Sequence, residues 1–434
     1  MGCLELLIVS TSIFIHPSFP RYTEYGPLIP AWNATHRVPG CLHRFFDTSP
    51  LSPSGRYLAV FRFLREDRYP QPGEAGEVLV IDLHTGEHEA VASTIGWESQ
   101  TGCNLNWGGD DRTLLFNDVD PLTWKPIGVR LDWSKKQRRT FPRGIYQASP
   151  DGQWAVCGSL ETMRRTQRGY GVLVPNEHVR WNEGFPDDDG LYLTNTFTGE
   201  SRLLVSLRRV LDVFGPNLEI PEPEKGSAYV FHSKWNPQGD RILFTIRWIP
   251  PTAPHRWDGI EVARFLILTV KPDGSDLTLA IPSSKWEQGG HHINWHPDGR
   301  HLTMNLGHFG NTLRFVRGCY DGSFLEPIRT DILGSGHPSL HPDGRHLITD
   351  TYLNEPMAFG DGTVPIRWID LETGQEECLL RIPSSQPVSL PDSALRVDPH
   401  PAWNRTWDAI AINSTLGGRR HVLLADLSSK IPLT

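Results

Sequence analysis

A short strand, a tight turn of the x-Pro-Asp-Gly kind and a second, alternating strand recur seven times along this 434-residue chain. The first copies read SPLSPSGRYLAV (49–60), NLNWGGDDRTLLF (104–116) and YQASPDGQWAV (146–156). HSKWNPQGDRILF (232–244), HINWHPDGRHLTM (292–304), HPSLHPDGRHLIT (337–349) and HPAWNRTWDAIAI (400–412) follow. Asp-Gly and related pairs supply the positive-φ residues a tight hairpin needs. Alternation of apolar and polar residues after each turn is the period of a half-buried strand.

Successive turns lie roughly 40 to 60 residues apart, which is room for four strands and their loops. Third strands with their own turns are visible in VLVIDLHTGE (78–87), LYLTNTFTGE (191–200) and IRWIDLETGQ (366–375). The pattern predicts an all-β, single-domain, seven-bladed β-propeller over residues 21–434, with residues 1–20 a signal or N-terminal extension. Radial closure leaves no exposed sheet edges of the kind that invite aggregation. Too little chain follows the last repeat for four strands. The ring is therefore expected to be closed by a strand from within residues 20–45. The wide gap after the third turn predicts an insertion over roughly 160–190.

Composition narrows the function classes. Forty-two basic against 50 acidic residues give a net charge of −8 without a basic cluster, so a nucleic-acid surface is not expected. No uncharged apolar run reaches the length of a spanning helix. The apolar stretch at residues 4–15 reads as a signal-peptide core, a start-site extension or an ordinary strand. Six dispersed Cys without a CxxC pair argue against both a disulfide scaffold and a cysteine zinc site. Sequons at Asn33, Asn404 and Asn413, with the apolar N-terminus, lean toward an extracellular or periplasmic protein, and nothing suggests more than a monomer. Walker A, Rossmann, HExxH and GxSxG signatures are missing, and seven repeats leave no length for a peptidase domain.

In a propeller the innermost strand of each blade starts at one mouth of the central funnel. With Ser52, Gly108, Ser149, Asn236, His296, His341 and Asn404 as turn markers, the residues four before them are His232, His292, His337 and His400 in blades four to seven, Asn104 in blade two, Ile145 in blade three and Thr48 in blade one. Four converging imidazoles suit a metal site or proton transfer near neutral pH; capping of strand starts is the alternative. Strand ends returning to the same mouth carry Arg65, Asn117, Arg247, Asn305, His308, Tyr352, Asn413, Arg419 and Arg420. The insertion can add Arg164, Arg165, Arg168 and Tyr170, and Tyr146 adjoins the blade-three position. Such a mouth would hold a small carboxylate. A glycosidase would need paired carboxylates, and Asp398 and Asp47 are the nearest acids.

The last three repeats, with ILFTIRW (242–248), resemble the closing blades of the oligogalacturonate-lyase family of propeller polysaccharide lyases, the likeness being carried by residues 230–434. The resemblance implies β-elimination at a uronate in an acidic oligosaccharide or polysaccharide. It also implies a divalent ion, manganese or calcium, held by His292, His337 and His400, with His232 as a further candidate ligand; a metal-free site is the alternative. The closely spaced His/Gln group of that family is missing here, which favours the propeller lyases acting on rhamnose–glucuronate chains or ulvan. Proton transfer then falls to two of the four His, with Tyr146 or Tyr352 as acid. Carboxylate neutralisation falls to Arg247 or Arg165, and substrate contacts to Arg164, Arg168, Tyr170, Asn104, His308 and Arg419. Pro-Asp-Gly repeats are also similar to those of TolB-type binding propellers, which would use the same mouth without catalysis.

Overall fold

In the computed structural model, which describes residues 13–253, 258–310, 312–386 and 393–431, the strands form seven antiparallel four-stranded sheets. Most of the apolar stretch at 4–15 lies outside the described residues. Six sheets are built from consecutive strands. The seventh takes Ala402–Trp403, Ala409–Leu416 and Arg419–Asp426 from the C-terminal repeat and its outer strand, Ala31–Asn33, from the N-terminus. Ala31 faces Ala425 and Asn33 faces Leu423 in that pairing, so the ring closes by backbone hydrogen bonds between the two ends of the chain.

Apolar side chains on facing blades interdigitate to hold the ring. Between blades three and four, Val156, Leu193, Val230, Ile246 and Leu266 belong to one buried cluster. Two polar devices recur beside this packing. Trp107 and Trp295, each one residue before its turn marker, donate Nε1 to the carbonyls of Pro50 and Lys234 on the preceding blade, at 2.8 and 3.0 Å. Asparagines nine residues after the marker bind the start of the next blade. The Asn117 side chain accepts from Ile145 N at 2.6 Å and donates to Ile145 O at 2.8 Å. Asn305 donates to Gly336 O at 2.8 Å, and Asn413 accepts from His43 N at 2.9 Å. Asn117, Asn305 and Asn413 are therefore staples between blades and not ligands at the mouth. The same burial removes Asn413 and Asn404 as glycosylation acceptors.

Asn413 also corrects the alignment of blade one. Its partner His43 occupies the place that Ile145 holds in blade three, so His43, not Thr48, starts the inner strand. Pairing along that strand stops after Leu42, which faces Phe61, and returns as a single bridge at Leu51–Leu58. The residues between loop into the channel. Phe45 and Phe46 are fully buried there. Asp47 forms an ion pair with Lys234 at 2.9 Å with neither side chain exposed, and a second, tighter one with Arg44. Lys234 donates further to Ile293 O at 2.7 Å, and Arg44 to Thr48 and Asn104. Burial would raise the Asp47 carboxyl, but the two cations outweigh it and hold it at about 2. This plug divides the channel into two separate cavities.

The insertion of blade three runs between Trp154–Cys157 and Gly190–Asn195 and contains a short helix, Met163–Thr166.

Candidate active site

On the side of the plug where inner strands begin lies a cavity of about 250 Å³. Its polar lining is His232, His291, His292, Arg247, Arg396, Tyr170, Tyr352, Gln167 and Thr245; Phe231, Ile260, Phe265, Trp286 and Ile293 form the apolar wall. No Asp or Glu is among the lining residues. Two of the imidazoles reach the cavity because their strands are irregular. In Ser227–Trp235 the register slips between Val230 and Ser233, and in Gly290–Trp295 between His291 and Asn294. Such bulges re-aim a side chain that a regular pleat would send elsewhere. His292 and His400 also adopt positive φ, 60° and 50°, as Asn104 does at the equivalent place.

The His292 pair is oriented by its contacts. Nδ1 lies 2.6 Å from Gly336 O, so it carries the proton, and Nε2 presents its lone pair to the Tyr352 hydroxyl at 3.0 Å. The tautomer is assigned from that carbonyl contact. Burial pulls the His292 imidazole well below its ordinary range and pushes the Tyr352 phenol well above its own. A protonated phenol thus donates to a neutral imidazole. His232 lies between the rings of Phe231 and Tyr146, at 4.1 and 4.9 Å, with no partner for its buried Nε2. Burial keeps it neutral as well.

Two guanidinium groups enter from opposite sides. Arg247 lies over the Phe231 ring at 3.3 Å and donates to Gln167 at 2.8 Å; it meets no carboxylate among the described residues. Burial pushes it down to about 9, so its charge is costly until an anion arrives. Arg396 binds Asp398 at 2.8 Å and the Tyr170 hydroxyl at 3.2 Å. Its segment crosses the mouth to blade two. Gln100 Nε2 donates to Ala394 O at 2.8 Å and Arg396 O at 3.3 Å, and Ser99 to Ala394 O. The turn bearing them is clamped by buried Glu98, which accepts from the amides of Gln100 and Thr101 at 2.6 and 2.7 Å.

His337 and His400 are not among the lining residues; like His232 and His292 they pack on Phe45, at ring distances of 5.4 and 4.7 Å, and His337 stacks on His292 at 3.7 Å. Both Asp350 oxygens lie near His337 Nδ1, at 2.9 and 3.0 Å, and the same carboxylate accepts from His400 N at 3.0 Å. One ligand atom each from His337, Asp398 and His400 lies within 4.8 Å of the others. His337 Nε2 and both His400 ring nitrogens are buried without a hydrogen-bond partner. Two imidazoles, a carboxylate and a second carboxylate steadying one ring are a donor set for a borderline divalent ion. His292, expected as a third imidazole ligand, has both nitrogens engaged elsewhere, and Asp398 stands in its place.

Several expected contacts are elsewhere. Arg165 stacks on Trp181 at 3.1 Å and donates to Val179 O, inside the insertion and away from the cavity. Arg164 donates to Val174 O, and Arg168 lies over Tyr69 at 4.3 Å. Tyr146 is buried behind His232 beneath Arg44, which also binds Asn104. His308 meets Lys285 at 3.3 Å, Arg419 and Arg420 bind Glu66, and Arg65 binds Asp67. The basic mouth expected from the sequence is thus largely engaged within the protein, three of its arginines by acids and the others by carbonyls and rings. Arg396 and Asp350 were missed. Asp350 had a signal: at the position nine after the marker it replaces the Asn of blades two, five and seven. Arg396 had none.

No protein-family model matches the chain, and no curated protein matches it. Among solved structures, oligogalacturonate lyase from Vibrio parahaemolyticus superposes with a TM-score of 0.64 at 15% identity, covering 94% of this chain and 96% of that one. An oligogalacturonate lyase in complex with manganese gives 0.63, with the same identity and coverage. TolB from Acinetobacter baumannii gives 0.39 at 12% identity over 86% of this chain and 81% of that one. At such identities the likeness to the lyases shows the fold they share with this chain, a seven-bladed propeller.

Proposed function

We propose that the chain is a polysaccharide lyase that cleaves beside a uronate by β-elimination, at glucuronate in a rhamnose–glucuronate linkage. The observation that carries this reading is the cavity lining: guanidinium, neutral imidazole and protonated phenol without a carboxylate among the described residues. In the elimination a base removes the C5 proton, the electron pair forms the C4–C5 double bond, the C4–O bond breaks, and the leaving oxygen takes a proton. The substrate carboxylate must be neutralised first, so that charge developing at C5 can be delocalised onto it. Arg247 is suited to this, since a buried guanidinium gains most from a bidentate anion. His232 is suited to take the C5 proton, and Tyr352 to give its hydroxyl proton to the leaving oxygen, with His292 Nε2 fixing where that hydroxyl sits before substrate arrives. Arg396, already balanced by Asp398, orients the chain.

A divalent ion also fits. His337, Asp398 and His400 would hold it behind the cavity lining, where it would supply positive charge toward the uronate carboxylate. The missing carboxylate pair disfavours a glycosidase. The apolar wall of Phe265 and Trp286 suits the apolar face of a neutral sugar beside one acidic unit, which favours a mixed chain. Oligogalacturonate remains the second reading, favoured by the structural neighbours.

Incubation with gum arabic, ulvan and oligogalacturonate, with and without chelator, tests the reading through ultraviolet absorbance of the new conjugated double bond. A signal on gum arabic is expected. Silence on all three with folded protein would overturn lyase activity and leave a binding propeller. Given activity, Gln100→Ala removes two hydrogen bonds from the Arg396 segment, at about 0.5–1.5 kcal/mol each. It should raise KM about three- to thirtyfold with a smaller change in kcat. An unchanged KM would show that Arg396 needs no such support.

A further inference from the structure

The sequence His-Pro-Asp-Gly-Arg-His occurs twice, at 296–301 and 341–346, on the turn face opposite the cavity. In blade five Asp298 Oδ1 accepts from the amides of Arg300 and His301 at 2.8 and 2.9 Å, which fixes the carboxylate. Its Oδ2 then stands 3.1 Å from His296 Nδ1 and 2.5 Å from His301 Nδ1. His296 Nδ1 accepts the Asp298 amide at 3.1 Å, so it bears a lone pair and not a proton. The three ligand atoms lie within 4.8 Å of one another, and the His301 side chain keeps 27% of its surface exposed.

We propose that His296, Asp298 and His301 form a second metal site, for a borderline divalent ion such as zinc, with water in the fourth position. Two imidazoles and one carboxylate are ligands of such ions, whereas calcium and magnesium call for oxygen alone. Binding displaces the His301 Nδ1 proton to solvent. Arg317, whose charge reaches the site, is paired with Glu326 at 2.8 Å. Blade six is a natural control. Asp343 there meets His341 and His346 in the same way, at 3.0 and 2.6 Å. His346, however, stacks on Trp368 at 4.9 Å and 9°, and His341 packs on Trp403 at 5.5 Å. Both imidazoles are about nine-tenths buried, which leaves no room for a fourth ligand.

Calorimetric titration of the metal-free full chain with zinc tests the site independently of any lyase activity. Asp298→Asn keeps the acceptor the turn needs and removes the anionic ligand, and His301→Ala removes one nitrogen. Each variant should bind one equivalent fewer than the wild type, or bind it at least tenfold more weakly, while His346→Ala binds as the wild type does. Any ion in the funnel is common to all these proteins and cancels in the comparison. Wild-type stoichiometry and affinity in folded Asp298→Asn would overturn the proposal, as would loss of the equivalent in His346→Ala alone.

Discussion

Tyr352→Phe is expected to lower kcat by two to four orders of magnitude, the usual contribution of a positioned proton donor. KM should change little, and folding should be unaffected, because the hydroxyl faces the cavity, where it bonds His292 Nε2, and phenylalanine keeps the ring contacts with His291, His292 and His337. His292→Ala should also lower kcat, since it removes the nitrogen that positions the phenol hydroxyl. The double variant should be hardly worse than either single one, because two members of one relay are not additive. Rates of elimination on the best substrate, with circular dichroism as the folding control, decide the matter. A Tyr352→Phe enzyme within threefold of the wild type would remove the relay and leave proton transfer to His232.

Asp47→Ala should be the most destabilising substitution at the plug. It leaves Lys234 and Arg44 in the channel without their acid, and breaking a buried pair typically costs about 3–5 kcal/mol. Urea denaturation should show a loss of that size, and Asp47→Asn combined with Lys234→Met should recover much of it. The pH dependence has a defined sign. A carboxyl held at about 2 against an ordinary 3.8 adds stability above pH 4 that is lost as pH falls toward 2. The shift amounts to about 2–3 kcal/mol. Wild-type stability should therefore fall more steeply between pH 4 and 2 than that of Asp47→Asn. Equal slopes would mean that the plug carboxylate is not held by its cations.

Residues from the second copy onward announced the architecture because each blade repeats a turn and an alternating strand, and both are local. Ring closure followed from counting strands, and Ala31–Asn33 supplies the missing one. The first blade was misaligned at Thr48 because its inner strand is interrupted. A loop that dives into a channel has the same local sequence as one that stays outside, and Phe45 and Phe46 declare their place only through the rings packed on them.

The His array shows the same division. That His232, His292, His337 and His400 share one repeat position, and so one end of the ring, was determined by the sequence alone. The tertiary structure then split them into two levels. Bulges turn His232 and His292 into the cavity, whereas Asp350 holds His337 and the His400 backbone behind its lining. Arginine roles depended wholly on the fold. Arg165, Arg419 and Arg420 look no different in sequence from Arg247, yet each is engaged within the protein, the last two by Glu66. Periodic pattern fixes where a strand begins. Which charges remain available to a substrate depends on contacts between residues hundreds of positions apart, and only the closed ring creates those.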